Sequence, residues 1–249
     1  MNFAGKTDRG LSRSQNEDAF CIIGGSEKTP LIMAVADGMG GHKAGDIASK
    51  MAMEIIQESF KKKPLSTKSY DSVTTRLFEI IKKANDAIFR KSISDPACIG
   101  MGTTLIIAVV DNNALVVAHI GDSCVYHFRN KVMKKITTDH TYVEELVRIG
   151  TLTRAEALIH PKRNYITKAV GCTNKVDADL YNITLEEADR VLIFTDGLSK
   201  MLTDSEILKI VYSSDDSEVV CERLIEKTNA NGGIDNTTAV VLLNVNEVL

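Results

Sequence analysis

The chain has 249 residues, enough for one large domain with a sizeable core, and 44% of them are hydrophobic. Its formal net charge of −3 at pH 7 gives no reason to expect nucleic acid or an anionic membrane as a partner. The five cysteines are odd in number and form no CxxC pair, which is typical of a reducing compartment rather than a disulfide framework.

No segment has the pattern of a targeting or membrane-spanning element. The first 30 residues carry charges throughout and no apolar stretch of the signal-peptide kind. The longest apolar runs are roughly six to eight residues, against the ~20 that a spanning helix needs. We therefore expect a cytoplasmic, monomeric protein that consists of a single domain over residues 1–249.

Apolar runs predict buried strands, and two long amphipathic stretches predict helices. In chain order the runs are Leu31–Ala36, Thr104–Val110, Leu115–Ile120, Val191–Thr195 and Thr237–Leu243. Between the first two runs, apolar residues recur with a period of about 3.6 residues in Ala44–Phe60 and Tyr70–Phe89. Capping boxes that begin at Thr153 and Thr203 predict two further helix starts.

The order of these elements disfavours a simple doubly wound parallel sheet. Strands come first, then two helices, more strands, an insert, and a last group of strands and helices, with no regular βαβ alternation. The continuous apolar strands also indicate sheets that are covered on both faces. The polar segment 141–165 interrupts two strand-rich regions, and we interpret it as a surface insert.

Four aspartates stand close to glycine at the ends of predicted strands. They are Asp37, Asp122, Asp196 and Asp235. A single Asp-Gly pair is usually only a turn, because both residues are favoured there. Four carboxylates at the rim of an apolar core are harder to explain as turns, since they would be costly unless a cation lies among them. Oxygen ligands favour Mg²⁺ or Mn²⁺ over zinc, and the five histidines include no HxxxH or HExxH motif.

Two further segments carry groups that suit a phosphate. Arg13 precedes the acidic pair Glu17 and Asp18, which alone predicts only a salt bridge. Beside a metal site, however, its guanidinium could hold a phosphate through two hydrogen bonds. The glycine-rich segment 38–42 opens the first long helix, where a loop can bind phosphate, although this pattern alone is weak. The dinucleotide-binding fingerprint and the P-loop motif are both absent from the sequence.

Taken together, these stretches resemble the bacterial type-2C metal-dependent serine/threonine protein phosphatases. The matching motifs run in the family's order at residues 7–10, 13, 16–18, 36–42, 102–104, 121–123, 139–140, 160–161, 195–198 and 233–238. Each motif is weak alone, but the ordered set is specific and extends over most of the chain.

The resemblance implies an α+β fold, in which a central β-sandwich of two antiparallel sheets is flanked by helices on both sides (α-β-β-α). Segment 141–165 would be the family's mobile flap. The implied activity is that of a protein-serine/threonine phosphatase, a phosphoric monoester hydrolase that uses direct attack by a water activated by two Mn²⁺ or Mg²⁺ ions. Its partners would be phosphorylated proteins, including a bacterial serine/threonine kinase and that kinase's substrates.

The resemblance also implies which residues hold the metals. Asp37 would bridge two ions, and the carbonyl of Gly38 would add a ligand to one of them. Asp196 and Asp235 would complete the other. Asp122, together with Asp196, would form a third and weaker site near the insert.

Four further residues receive catalytic roles from the resemblance. Glu17 and Asp18 would order the waters at the metals, and Arg13 would hold the phosphate of the substrate. The departing serine or threonine oxygen is very basic and needs a proton, for which His42 is the candidate donor, with a water as the alternative.

Two positions depart from the family's pattern. Many relatives outside bacteria carry histidine where this chain has Met39, which leaves the acid role to His42. Many members carry arginine where this chain has Cys124, and we expect this change to alter packing or charge near the third site without abolishing the chemistry.

Two other functions compete with this interpretation. A phosphatase with an aspartyl nucleophile needs a DxD pair after a strand, and neither segment 37–39 nor segment 196–198 supplies one. A catalytically inactive phosphatase-like scaffold, or a regulatory binding protein, would have lost its metals, whereas all the expected acidic residues are present here. An assay of metal-dependent phosphatase activity discriminates between these readings.

Overall fold

The computed structural model describes residues 2–26, 29–40, 44–65 and 69–243. The strands are β1 (Asn2–Asp8), β2 (Asp18–Gly24), β3 (Leu31–Met39), β4 (Gly102–Thr103), β5 (Leu105–Asp111), β6 (Ala114–Ile120), β7 (Cys124–Arg129), β8 (Val132–Lys135), β9 (Asp179–Thr184), β10 (Arg190–Phe194) and β11 (Thr237–Leu243). The α-helices are α1 (Ala44–Lys62), α2 (Tyr70–Ser94), α3 (Tyr142–Arg148), α4 (Arg154–Ile159), α5 (Asp196–Met201), α6 (Asp204–Val211) and α7 (Ser217–Ala230).

The strands form two antiparallel sheets that pack face to face. The first sheet has the order β1-β11-β10-β7-β8, and the second has the order β2-β3-β5-β6-β9, with β4 paired to the end of β3. The two sheets meet across a shared apolar layer that includes Val35 from β3 and Val240 from β11. The predicted central β-sandwich is therefore confirmed.

Helices cover the outer face of each sheet. Helices α1 and α2 pack on the second sheet, where Ile56 and Ala34 lie in one cluster. Helices α5, α6 and α7 pack on the first sheet, with Leu224 among the buried residues. Ala34 faces the helices while its neighbour Val35 faces the other sheet, because side chains alternate along a strand. This double burial explains why the strands are continuous apolar runs, and it confirms the α-β-β-α arrangement.

The predicted helices are present, and the two predicted capping boxes form. Helices α1 and α2 begin at Ala44 and Tyr70, although α2 runs on to Ser94. Both predicted capping boxes form, at Thr153 and at Thr203, each with a glutamate three residues later. Within the described ranges, no helix is long and apolar enough to cross a membrane.

The predicted surface insert, segment 141–165, contains α3 and α4. Most of its residues are exposed, including the large apolar side chains of Leu158 and Ile159. Its two ends are tied together, since the N–H of Tyr142 donates to the carbonyl of Tyr165 at 2.8 Å. The insert is therefore a surface feature with a closed base, and its mobility stays a prediction.

Candidate metal centre

Carboxylates from both sheets come together at one end of the sandwich. Asp18 begins β2 and lies opposite Asp37 of β3 in register. Asp122 follows β6, Asp196 follows β10 and Asp235 precedes β11. The charges of Asp18, Asp196, Asp122 and Asp235 all contribute to the pKa of Asp37, which shows that the five groups are near one another. The four aspartates that the sequence singled out are therefore neighbours of one another and of Asp18.

Asp37 lies inside β3, whereas the sequence placed it just after the strand. The strand continues because Gly38 pairs with Thr103 of β4. The N–H of Asp37 donates to Thr104 Oγ1 at 2.9 Å, and its carbonyl accepts from Thr103 Oγ1 at 2.9 Å. The backbone of Asp37 is thus paired with Asp18 of β2 on one side and held by two threonine hydroxyls on the other, which fixes where its carboxylate lies.

Gly38 brings the N-terminal part of α1 against the site. A Cβ at this position would lie 2.0 Å from the carbonyl oxygen of Gly45 and 2.7 Å from that of Glu17. Only glycine permits this approach, because no real Cβ contact is so short. The loop that carries Glu17 therefore packs directly on the end of β3.

Asp18 is oriented by hydroxyl groups of the opposite sheet. Its Oδ2 accepts hydrogen bonds from Thr195 Oγ1 and Thr238 Oγ1, both at 2.8 Å. Its Oδ1 is buried and has no hydrogen-bond partner. Burial and the negative charge of Asp196 raise the pKa of Asp18 to about 7, although the two hydroxyl hydrogen bonds lower it. One fixed carboxylate oxygen of Asp18 thus remains to be satisfied.

Asp122 and Asp196 each also have one buried carboxylate oxygen without a hydrogen-bond partner. The Oδ1 atoms of both residues are buried without a partner. Burial, with the charges of Asp196 and Asp139, raises the pKa of Asp122 to about 7. Burial and four neighbouring carboxylates hold the pKa of Asp37 well above its usual range. Buried charges that repel each other and lack partners are costly, so this set of oxygens fits a bound divalent cation.

Two basic side chains hold carboxylate oxygens of Asp196 and Asp235. Lys200 Nζ lies 2.6 Å from Asp196 Oδ2 and 2.7 Å from Asp235 Oδ2. Arg13 Nη2 lies 2.8 Å from Asp235 Oδ1. Burial alone would raise the pKa of Asp235, but Lys200 and Arg13 lower it on balance. Asp196 and Asp235 are bound to these cations. In the described part of the chain, no three acidic, histidine or cysteine side chains are already arranged as metal ligands.

Asn236 fixes the loop that carries Arg13 and Glu17. Its Nδ2 donates to the carbonyls of Arg9 and Gln15, each at 2.8 Å, and its Oδ1 accepts from the N–H of Glu17 at 2.9 Å. Burial raises the pKa of Glu17, against the charge of Arg13. The sequence assigned no role to Asn236, which appeared there only as part of a motif.

The structure also adds Lys200, which sequence reasoning missed. The available signal was its position four residues after Asp196, a spacing that places two side chains on the same face of a helix. His42, by contrast, lies outside the described residues, as does the rest of segment 41–43. Its assignment as a proton donor therefore stays a prediction.

The unusual Cys124 is buried beside the position proposed for the third site. Its Sγ lies 3.7 Å from Asp139 Oδ1, and Lys135 Nζ lies 2.7 Å from Asp139 Oδ2. Lys135 thus supplies a positive charge next to this thiol.

Comparisons with known proteins agree with this fold. A family model described as Protein phosphatase 2C matches residues 10–232. The chain is 35% identical over 237 residues to the serine/threonine phosphatase stp of Listeria innocua, covering 95% of this chain and 93% of that protein. The solved serine/threonine phosphatase of S. agalactiae has a TM-score of 0.89 at 32% identity, covering 97% of this chain and 99% of that one. The catalytic domain of the phosphatase PstP, solved with 2 manganese ions, has a TM-score of 0.82 at 33% identity, covering 96% of each chain.

Proposed function

This chain belongs to the protein phosphatase 2C family, and we propose that it is a metal-dependent phosphatase that hydrolyses phosphoserine and phosphothreonine in proteins. The observation that carries this proposal is the set of buried carboxylate oxygens without partners on Asp18, Asp122 and Asp196. They lie at the end of the sandwich where the sequence motifs converge. A scaffold that had lost its metals would have no need of this unfavourable arrangement.

We assign the metal ligands as the motif order suggests. Asp37 would serve both ions of the main pair, the Gly38 carbonyl would serve one of them, and Asp196 and Asp235 would serve the other. Asp122 with Asp196 would serve a third, weaker site. The choice of Mn²⁺ or Mg²⁺ follows from a ligand set of oxygens only. Bound there, such ions would make a water molecule a better nucleophile and offset the charge of the phosphoryl group.

The side chains of the chain itself bind the phosphate and orient the attacking water. Arg13 is half exposed at the rim of the cluster, where its planar fork suits two phosphate oxygens. The Asp18 carboxylate is fixed by two threonine hydroxyls, so its unpartnered oxygen accepts a hydrogen bond from a water in one defined direction. Glu17 provides a second acceptor nearby. His42 is assigned the transfer of a proton to the departing serine or threonine oxygen.

The wider biological setting is also part of the proposal. Segment 141–165 acts as a flap over the site, and residues 1–249 work as one monomeric phosphatase domain. The substrates are phosphorylated proteins, among them a serine/threonine kinase and the proteins that the kinase modifies. A cytoplasmic location is supported by the five cysteines, all of which are free.

The test measures phosphate release by chelator-treated protein after addition of Mn²⁺, Mg²⁺ or Zn²⁺. The substrates are p-nitrophenyl phosphate and a phosphothreonine peptide, and Asp37→Asn is the matched inactive control. We expect activity that disappears with chelator and returns with Mn²⁺ or Mg²⁺. Restoration by Zn²⁺ alone would contradict the choice of hard cations, and no activity with any ion would favour the scaffold.

A further inference from the structure

Lys200 occupies the two carboxylates that are proposed to complete one metal position. We propose that Lys200 is a tethered competitor of the metal ion, whose ammonium group has to leave Asp196 and Asp235 before both can bind a divalent cation. This inference rests on the proposed metal site, and it adds a residue that sets how tightly this particular chain binds its metal.

The geometry gives Lys200 a bridging position between two elements. Lys200 lies on α5, four residues after Asp196, so its side chain reaches back along the same helix face. Asp235 comes from the loop before β11, 35 residues further along the chain. A single ammonium group therefore links both carboxylates, at 2.6 Å and 2.7 Å, which are the lengths of strong charge-assisted hydrogen bonds.

The occupancy of the oxygens shows why a metal and Lys200 exclude each other. Lys200 contacts Oδ2 of Asp196 and Oδ2 of Asp235. Asp235 Oδ1 is held by Arg13 and by the N–H of Asn236, the latter at 2.9 Å. Of these four oxygens, only Asp196 Oδ1 is buried without a partner. A divalent ion that binds both carboxylates would lie within a few ångströms of the ammonium, and like charges at such distances repel strongly when they are partly buried.

Lys200 is able to leave because its side chain has an open route. Its side chain is 27% exposed, whereas those of its two partners are 20% and 15% exposed. The ammonium sits on a flexible four-carbon stem and is readily hydrated. The Lys200 ammonium can therefore leave the two carboxylates by a rotation of its own side chain.

The competition has two measurable consequences with opposite signs. Removal of the ammonium abolishes the competition, so a metal ion should bind more tightly. It also leaves two neighbouring carboxylates without their shared counter-charge, so the protein in chelator should become less stable. A lysine that only decorated the surface would produce neither effect.

The experiment compares Lys200→Met with Lys200→Gln and Lys200→Arg, and with Lys209→Met as the matched control. Lys209 is an exposed lysine of the adjacent helix α6, and no carboxylate is paired with it among the described residues. Titration calorimetry of chelator-treated protein gives the Mn²⁺ affinity and stoichiometry, and thermal unfolding in chelator gives Tm.

We expect Lys200→Met and Lys200→Gln to bind Mn²⁺ about tenfold more tightly, which corresponds to ~1.4 kcal/mol. Their Tm in chelator should fall by roughly 2–4 °C, which corresponds to a loss of about 1 kcal/mol in unfolding free energy for a domain of this size. Lys200→Arg and Lys209→Met should resemble wild type in both measurements. Equal or weaker Mn²⁺ binding by Lys200→Met, with wild type binding normally, overturns this inference alone. If neither protein binds Mn²⁺, the proposed metal site fails as well.

Discussion

The two ends of strand β10 carry a buried and a partly buried carboxylate that have opposite surroundings. Asp189 comes directly before the strand, and Asp196 comes two residues after its end at Phe194. Arg129 donates two hydrogen bonds to Asp189, from Nε to Oδ1 at 2.9 Å and from Nη2 to Oδ2 at 2.6 Å. Asp189 Oδ2 also lies 2.8 Å from His127 Nε2. Asp196 has only Lys200 on one oxygen and no partner on the other.

The pKa values follow this difference in partners. Burial alone would raise the pKa of Asp189, but bonds from Arg129, the Glu186 N–H and His127 lower it on balance. Burial raises the pKa of Asp196 in spite of Lys200. Where the chain supplies every donor, a buried carboxylate serves the fold. Where it leaves oxygens unpartnered and adds further carboxylates, the site is suited to a cation from outside the chain.

The largest expected effect is that of Asp37→Asn, in the carboxylate cluster that includes Asp196. Turnover should fall at least ~10³-fold, or on the order of 4 kcal/mol in barrier, because Asp37 is assigned to both ions of the main pair. In chelator the variant should be no less stable than wild type, since the change removes one of several repelling charges. The measurements are kcat, metal stoichiometry by calorimetry and unfolding in chelator. Near-normal turnover would show that the two-metal assignment is wrong.

Asp189→Asn, at the other end of β10, should lower stability and leave activity unchanged. The free energy of unfolding should fall by about 1–3 kcal/mol, because the donors of Arg129 and of the buried His127 lose a charged acceptor. Mn²⁺ affinity and kcat of the folded protein should stay at wild-type values. The exposed neighbour Glu186, changed to Gln, is the control, with an expected loss below about 1 kcal/mol in urea unfolding. A loss of metal binding in Asp189→Asn would remove the distinction between the two ends.

Arg13→Ala tests whether the arginine at the metal end serves phosphate or only Asp235. We expect KM to rise about tenfold with a smaller fall in kcat, because binding is lost that is present before the transition state. Arg13→Lys should restore only part of the binding, since a point charge lacks the planar fork. An unchanged KM would leave Arg13 with its ion pair to Asp235 as its sole role.

The smallest expected effect is a pH dependence of stability in chelator. The pKa values of Asp18 and Asp122 are raised to about 7, so the folded protein holds these protons more tightly than the unfolded chain. Their contribution is fully present below the unfolded value near 4 and is lost as pH rises through about 7. Wild-type Tm should therefore be roughly 2–4 °C lower at pH 8 than at pH 6.

Asp122→Asn should reduce this pH difference, while Asp189→Asn should leave it unchanged. The lowered pKa of Asp189 acts in the opposite direction, because its contribution is present above about 4 and is lost only as pH falls further. A wild-type Tm in chelator that rises from pH 6 to pH 8, with Asp122→Asn behaving the same way, would contradict the cluster of raised pKa values.

Much of the architecture was predictable because it depends on local patterns. Strand β11 matches its predicted residues, and α1 and α2 begin where the period of apolar residues begins. Strands with a mixed pattern were harder to predict. Strand β8 has three exposed residues out of four and carries no apolar run, because it lies at the edge of its sheet. The end of β3 was placed too early, since its last residues are held by β4, 63 or more positions away.

The sequence by itself determined that Asp37, Asp122, Asp196 and Asp235 border apolar strands, and this was enough to predict a site for hard cations. Only the tertiary structure decided which oxygens are already held by the chain. Lys200 joins Asp196 to Asp235, and the side-chain partners of Asp189 lie on another strand, about 60 residues earlier in the chain. The sequence does not show that Asp189 is held by Arg129 and His127, because these donors come close to it only when the strands of the sheet pair.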